Sequence, residues 1–88
     1  MQARLQRMAS YEETLKVTVE ILKKHMDKER PVAPGDNIQS DLGLDSLGVM
    51  EVVADIEERF EIAIPSDVLA NLATVEDVVK ALQKLQSV

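Results

Sequence analysis

The sequence predicts an all-α protein, a four-helix bundle with three longer helices and one short third helix. Apolar residues recur every three or four positions in three separate segments, as they do on one face of a helix. Helix-capping residues stand before these segments, and proline or turn-forming residues separate them. The stretch "EIAIP" alternates like a strand, but it is too short and isolated to form a sheet.

The first helix is predicted from residue 11 to about residue 28. Ser10 followed by Glu13 forms an S-x-x-E capping box, and the helix must end before Pro31. The buried face is expected to be the apolar stripe of Tyr11, Leu15, Val19, Leu22 and Met26.

A connection of roughly 15 residues, rich in proline, glycine and turn formers, follows this helix. A loop of this length in a small domain is usually either disordered or functional. Its apolar residues favour an ordered loop that is pinned against the helices, and they are Ile38, Leu42 and Leu44.

The second helix is predicted over residues 46 to 60, and the fourth over residues 75 to 86, with Thr74 as its cap and Asp77 completing the capping pair. Between them, "PSDVLANL" predicts a short third helix that begins at Pro65 or Ser66. The stripe of the second helix is Val49, Val52 or Val53, Ile56 and Phe60, and the inward residues near the third are Val68, Leu69 and Leu72.

The length of 88 residues predicts one domain over residues 10 to 88, preceded by residues 1 to 9, which either extend the first helix or form a frayed N-terminal extension. The chain has no cysteine, which excludes a disulfide framework, a thiolate metal site and a cysteine nucleophile. We find neither an apolar run of membrane-spanning length nor the apolar core of a signal peptide. A soluble, cytoplasmic protein is therefore expected.

The formal net charge of −6 is concentrated in one region. Residues 36 to 60 contain seven acidic residues against Arg59 alone. This acidity disfavours nucleic acid as a partner and favours proteins with basic surfaces. The alternative is that the acids only keep a small domain in solution.

The face of the second helix outside the buried stripe mixes acidic with small or flexible apolar side chains. Such a mixture is typical of a protein-docking surface, with charge for steering and methionine for adaptable contact. By itself, the mixture is also compatible with an ordinary solvated helix face. The residues are Met50, Glu51, Ala54, Asp55, Glu57 and Glu58.

Ser46 does not fit a self-contained serine hydrolase. The window around it has Leu44 where the nucleophile elbow G-x-S-x-G requires its first glycine. The single histidine, His25, lies in the charged end of the first helix and is expected to be a surface residue rather than a catalytic base.

The acidic cluster does not form a calcium-binding EF-hand loop. A loop that starts at Asp36 has Asp41 at its sixth position, where glycine is required, and Leu47 at its twelfth, where glutamate is required. A loop that starts at Asp41 ends on Val52. No metal site is predicted.

A serine presented for modification fits the same residues. If Asp45 is the N-cap, Ser46 occupies the first helical position with its hydroxyl free, and Gly48 leaves that turn uncrowded. The helix N-terminus would stabilise a phosphate ester at this position. By themselves, the two residues are also compatible with a plain helix cap.

The segment "DLGLDSLGVMEVVADIEERFEIAIP" resembles the acyl carrier protein family of phosphopantetheine-binding carrier domains. The signature of this family is a G-x-D-S-L box that opens the second of four helices, and here it is Gly43-Leu44-Asp45-Ser46-Leu47. The similarity runs from about Tyr11 to Leu85.

The resemblance implies a noncatalytic carrier for fatty-acid or polyketide-type biosynthesis. Ser46 matches the serine to which a phosphopantetheinyl transferase attaches the 4′-phosphopantetheine arm of coenzyme A. Asp45 matches the acid of the box, and Leu47 matches a hydrophobic plug behind it. The recognition face for acyl-loading enzymes, ketosynthases and other acyl-processing partners would be Met50, Glu51, Ala54, Glu57 and Glu58. Residues implied for an acyl-holding cavity are Val52, Ile56, Leu72 and Ala73.

Two positions depart from the family pattern. Gly48 stands where many fatty-acid carriers have another acid, and Arg59 interrupts the acidic run. These departures argue against housekeeping fatty-acid synthesis and leave room for a specialised or polyketide pathway. The alternatives are an aminoacyl or peptidyl carrier domain and a structural acidic interaction module. We expect a monomer without nucleic-acid partners.

Overall fold

The computed structural model describes residues 10 to 86 and contains the helices α1 (Tyr11–His25), α2 (Ser46–Phe60), α3 (Ser66–Leu69) and α4 (Val75–Gln86). These helices confirm the predicted fold class, and α1 packs against both α2 and α4. No helix in this part of the chain is long and apolar enough to cross a membrane. The extension predicted over residues 1 to 9 lies outside the described residues, as do residues 87 and 88.

The bounds of α2 and α4 agree with the prediction, but α1 ends at His25, before the predicted end near residue 28. Met26 leaves the helix in an extended conformation and packs half-buried against the core. The charged residues 27 to 30 that follow are all exposed. Because these residues are charged and exposed, packing does not favour a further helical turn.

Both predicted capping pairs are present. The Ser10 hydroxyl accepts from the Glu13 N–H at 3.1 Å, and the Glu13 carboxylate accepts from the Ser10 N–H at 3.0 Å. At α4, Asp77 Oδ2 accepts from the backbone N–H groups of Thr74 and Ala73, each at 3.0 Å. These hydrogen bonds, that of Thr74 above all, hold the pKa of Asp77 below its ordinary value of 3.8.

The long loop between α1 and α2 is hydrogen-bonded to the start of α4. The backbone N–H groups of Val75 and Glu76 donate to the carbonyls of Asp36 at 3.0 Å and Pro34 at 2.8 Å. Loop carbonyls thus satisfy N-terminal amides of α4 that have no partner within their own helix. The predicted anchors of the loop are all buried, and they are Ile38, Leu42 and Leu44.

The buried face of α1 differs from the predicted stripe. Its buried residues are Thr14, Thr18, Ile21 and Leu22, so only Leu22 of the predicted stripe is buried. The prediction was wrong because apolar spacing alone does not mark Thr14 and Thr18, and α1 contacts two neighbouring helices and so buries a wider arc than one stripe. The remaining members of the predicted stripe are only half-buried: Tyr11, Leu15, Val19 and Met26.

The second stripe and the region around α3 follow the prediction more closely. In α2, Val52, Val53 and Ile56 are buried, and Val49 and Phe60 pack half-buried against them. The three residues expected to turn inward near α3 also pack half-buried on the core, and they are Val68, Leu69 and Leu72.

Candidate functional site

Asp45 caps α2 and leaves Ser46 without a capping role. Asp45 has extended backbone angles, and its Oδ1 accepts from the Gly48 N–H at 2.8 Å. Ser46 is the first helical residue and is exposed. Its hydroxyl makes no hydrogen bond to another residue in the segment from 10 to 86. The two polar residues of the box therefore act differently, as predicted for Asp45.

The turn before Ser46 is held in place by its apolar neighbours. Gly43 adopts a φ of 76°, a left-handed conformation that glycine reaches without steric cost. Leu42 and Leu44, on either side of it, are each 6% exposed. Because both leucines are inserted into the core, Asp45 and Ser46 remain at the surface.

The first turn of α2 fits a phosphate group. It contains no acidic side chain, and in the described chain the backbone N–H groups of Ser46 and Leu47 have no hydrogen-bond partner. Free amides at a helix N-terminus carry partial positive charge and bind phosphate oxygens. The donors around the Ser46 hydroxyl therefore suit a phosphodiester at that oxygen.

Gly48 leaves the first turn of α2 uncrowded, as expected, because the position has no room for a side chain. A Cβ atom at this position would lie 3.2 Å from Leu44 Cδ2 and 3.3 Å from Asp45 Oδ1. The buried Leu44 and the capping carboxylate both approach the backbone here. A side chain at residue 48 would therefore require Leu44 or Asp45 to shift.

Leu47 is not the plug that the resemblance implied. It is 66% exposed, whereas Leu44 is the buried leucine of the box. The reason is geometric, since Leu47 follows Ser46 on the outward side of the first turn. Met50, one turn further, is 59% exposed, and Ala54 continues the same side of α2. Leu47, Met50 and Ala54 thus form a row of exposed apolar side chains next to Ser46.

The three acids predicted to accompany this row are not equivalent. Glu51 and Glu58 are exposed. Glu57 is half-buried, and its Oε2 accepts from the Ile64 N–H at 2.8 Å. This contact holds the segment after α2 against the helix. Glu57 thus has an intramolecular role that the sequence did not reveal.

His25 was expected to be a surface residue, but it is largely buried and links α1 to α2. Its side chain is 20% exposed, with Nε2 at 2.7 Å from Asp55 Oδ2 and Nδ1 at 3.6 Å from Glu51 Oε1. Lys24 Nζ lies 3.8 Å from the same Asp55 oxygen. The hydrogen bond with His25 is the main reason that the pKa of Asp55 is lowered from 3.8.

Arg59, which interrupts the acidic run, also faces α1. Its guanidinium lies 3.9 Å from Glu20 Oε1, and both side chains are more than half exposed. An exposed pair of this kind contributes at most about 1 kcal/mol. Arg59, which departs from the family pattern, thus lies opposite an acidic residue of α1, Glu20.

A cavity of about 240 Å³ lies between the long loop, α2 and the segment from α3 to α4. All four residues that the resemblance implied line it, and they are Val52, Ile56, Leu72 and Ala73. Val49, one turn after Ser46, contributes to the same wall. Sequence reasoning missed the lining residues of the loop, Asn37, Ile38 and Gln39, because no periodicity predicts which loop residues face a cavity.

Comparison with known families agrees with this geometry. The family model for the phosphopantetheine attachment site matches residues 12–82. The chain belongs to the acyl carrier protein family. The serine box therefore led to the correct family.

Two curated acyl carrier proteins are similar to the chain along nearly their whole length. The chain is 39% identical over 75 residues to that of Prochlorococcus marinus (strain MIT 9515), covering 84% of this chain and 94% of the relative. It is also 39% identical over 79 residues to that of Campylobacter lari, covering 90% of this chain and 99% of the relative.

A solved structure from Mycobacterium tuberculosis, provisionally described as an acyl carrier protein, has a similar fold. The TM-score is 0.66 at 30% identity, over 83% of this chain and 95% of that chain. As a member of this family, the protein carries acyl groups as thioesters on covalently attached 4′-phosphopantetheine, whose thiol the cysteine-free chain itself lacks.

Proposed function

We propose that Ser46 is the attachment residue for 4′-phosphopantetheine and that the domain, residues 10 to 88, is a noncatalytic carrier in fatty-acid or polyketide-type biosynthesis. The observation that carries this proposal is the exposed, unbonded Ser46 hydroxyl at the first position of α2, beside an aspartate that performs the capping. The matched residues 12–82 include this serine.

The chain binds and orients the group but does not supply the base for its attachment. Asp45 engages the Gly48 N–H, which leaves the N–H groups of Ser46 and Leu47 to bind phosphate oxygens. The one histidine, His25, is hydrogen-bonded to Asp55 instead. Removal of the Ser46 proton is therefore assigned to a phosphopantetheinyl transferase.

The exposed row of Leu47, Met50 and Ala54, flanked by Glu51 and Glu58, is proposed as the docking surface for partner enzymes. An adaptable methionine beside carboxylates suits a basic surface with an apolar centre. The proposed partners are the transferase, acyl-loading enzymes, ketosynthases and other acyl-processing enzymes. A monomeric state and a cytoplasmic location stay predictions from the sequence.

Priming tests the attachment site. The protein is incubated with coenzyme A and a broad-specificity phosphopantetheinyl transferase, and its intact mass is measured. We expect a mass increase of one phosphopantetheinyl group in the wild type and in Ser40→Ala, which removes another exposed serine of the same region, and no increase in Ser46→Ala. An unshifted wild type, or a shift that persists in Ser46→Ala, contradicts the proposal.

Charge reversal tests the docking surface. The double variant Glu51→Lys, Glu58→Lys should lower kcat/KM of a cognate acyl-processing enzyme by roughly tenfold or more, the low end of electrostatic steering. Glu29→Lys, an exposed acid outside α2, makes the same kind of charge change and should have little effect. Thermal stability should change little, because exposed substitutions are usually within about 0.5 kcal/mol. Equal kinetics for the double variant and the wild type would exclude this surface.

A further inference from the structure

The cavity beside α2 has an apolar floor and a polar residue at its mouth. Among the twelve described residues that line it, the polar ones are Asn37 and Gln39. The floor includes Val52, Ile56 and Val78, each at most 4% exposed. Gln39 and Ala73 are the exposed residues of this lining, so they mark where the cavity opens to solvent.

The two polar residues differ in what they already bind. Asn37 Oδ1 accepts from the backbone N–H groups of Gln39 at 3.0 Å and Ser40 at 2.9 Å, so it stabilises the turn. The side-chain amide of Gln39 makes no hydrogen bond to any residue from 10 to 86. Its oxygen and nitrogen are both available to a ligand at the mouth.

We propose that Gln39 makes the cavity selective for 3-hydroxyacyl groups over saturated acyl groups of equal length. This inference rests on the proposed attachment at Ser46. An acyl chain that enters tail first places its apolar end on the buried floor and its thioester end, with a nearby 3-hydroxyl, at the mouth. The Gln39 amide then replaces hydrogen bonds to water that the hydroxyl loses on entry.

The saturated chain forms no such hydrogen bond. It has no hydroxyl to desolvate and none to bond, so its sequestration depends on the apolar floor alone. One neutral hydrogen bond corresponds to a preference of about two- to tenfold. Removing the Gln39 amide should therefore weaken sequestration of the hydroxyacyl group selectively.

Thioester protection measures this selectivity. The protein is loaded by the transferase from octanoyl-CoA or 3-hydroxyoctanoyl-CoA, and cleavage by hydroxylamine is followed by intact mass. The protection of each acyl group is the cleavage rate of the same free CoA thioester divided by the cleavage rate of the group on the protein. In Gln39→Leu, the ratio of hydroxyacyl to acyl protection should fall about fivefold relative to the wild type. Gln39→Met, a second apolar variant of similar length, should behave alike.

Ser40→Ala is the matched control, because Ser40 is the exposed neighbour in the same turn and does not line the cavity. Its protection ratio should equal that of the wild type. An unchanged ratio in both Gln39 variants overturns the inference. Equal loss of protection for both acyl groups also overturns it, because Gln39 would then contact the thioester or the arm. Failure of the wild type to load at Ser46 contradicts the proposed function itself.

Discussion

The buried hydroxyl of Thr14 predicts that a conservative substitution stabilises the protein. Thr14 is fully buried in α1, and its Oγ1 has no hydrogen-bond partner in the described structure. Thr18, one turn later, is also fully buried, but its hydroxyl donates to the Thr14 carbonyl at 2.8 Å. The same Thr→Val change therefore has different consequences at two neighbouring positions.

The magnitude follows from desolvation. Burying an unpaired hydroxyl costs about 1–3 kcal/mol, and valine has nearly the same shape without the polar group. Threonine and valine also have similar helix propensities. Thr14→Val should therefore raise the free energy of unfolding by about 1 kcal/mol, which corresponds to about 4–8 °C in Tm for a domain of this size. Thr18→Val loses a hydrogen bond and should be neutral or less stable by about 1 kcal/mol.

Urea unfolding of the unprimed protein, followed by far-ultraviolet circular dichroism, provides the assay. The decisive quantity is the difference between the two variants, since both remove one hydroxyl from the same helix. A stability of Thr14→Val that is below wild type, or equal to that of Thr18→Val, would refute the reasoning. The Thr14 hydroxyl would then have a partner, such as a buried water.

Three further predictions concern the acidic side chains. Asp45→Ala should lower the free energy of unfolding by about 1 kcal/mol through loss of the N-cap, as measured by urea unfolding. Glu57→Ala should cost about 1–2 kcal/mol because the Ile64 N–H loses a charged acceptor, whereas Glu58→Ala, also on α2, should stay within about 0.5 kcal/mol. Asp77→Asn should be less stable than the wild type at neutral pH, and this difference should close as the pH falls below 3.8.

The sign of the Asp77 prediction follows from its lowered pKa. The Asp77 carboxylate binds a proton more readily in the unfolded state than in the folded state. The ionised carboxylate therefore stabilises the fold above its ordinary pKa, and this stabilisation is lost as the pH falls through the pKa of the folded state. A difference from Asp77→Asn that is independent of pH would contradict this reasoning. The first prediction is contradicted if Asp45→Ala unfolds with the same free energy as the wild type. The second is contradicted if Glu57→Ala and Glu58→Ala lower the free energy of unfolding equally.

Features that depend on neighbours in the chain could be predicted from the sequence. The capping pair of Ser10 and Glu13 and the cap at Asp45 involve residues three apart, and such geometry follows from the helix itself. The start of α2 at Ser46 was therefore predicted correctly. The cavity lining at Val52 and Leu72 required the family resemblance, because Val52 belongs to α2 and Leu72 to the connection between α3 and α4.

What the sequence by itself determined is the set of four helices, their caps and the serine box, since these rest on local hydrogen bonds and on apolar spacing. Only the tertiary structure decided which polar side chains contact other parts of the fold. Glu57 reaches Ile64, His25 reaches Asp55 across 30 positions, and Gln39 comes to the mouth of the cavity. The physical reason is that packing of α1, α2 and the long loop sets these distances, and a linear pattern does not encode which elements meet.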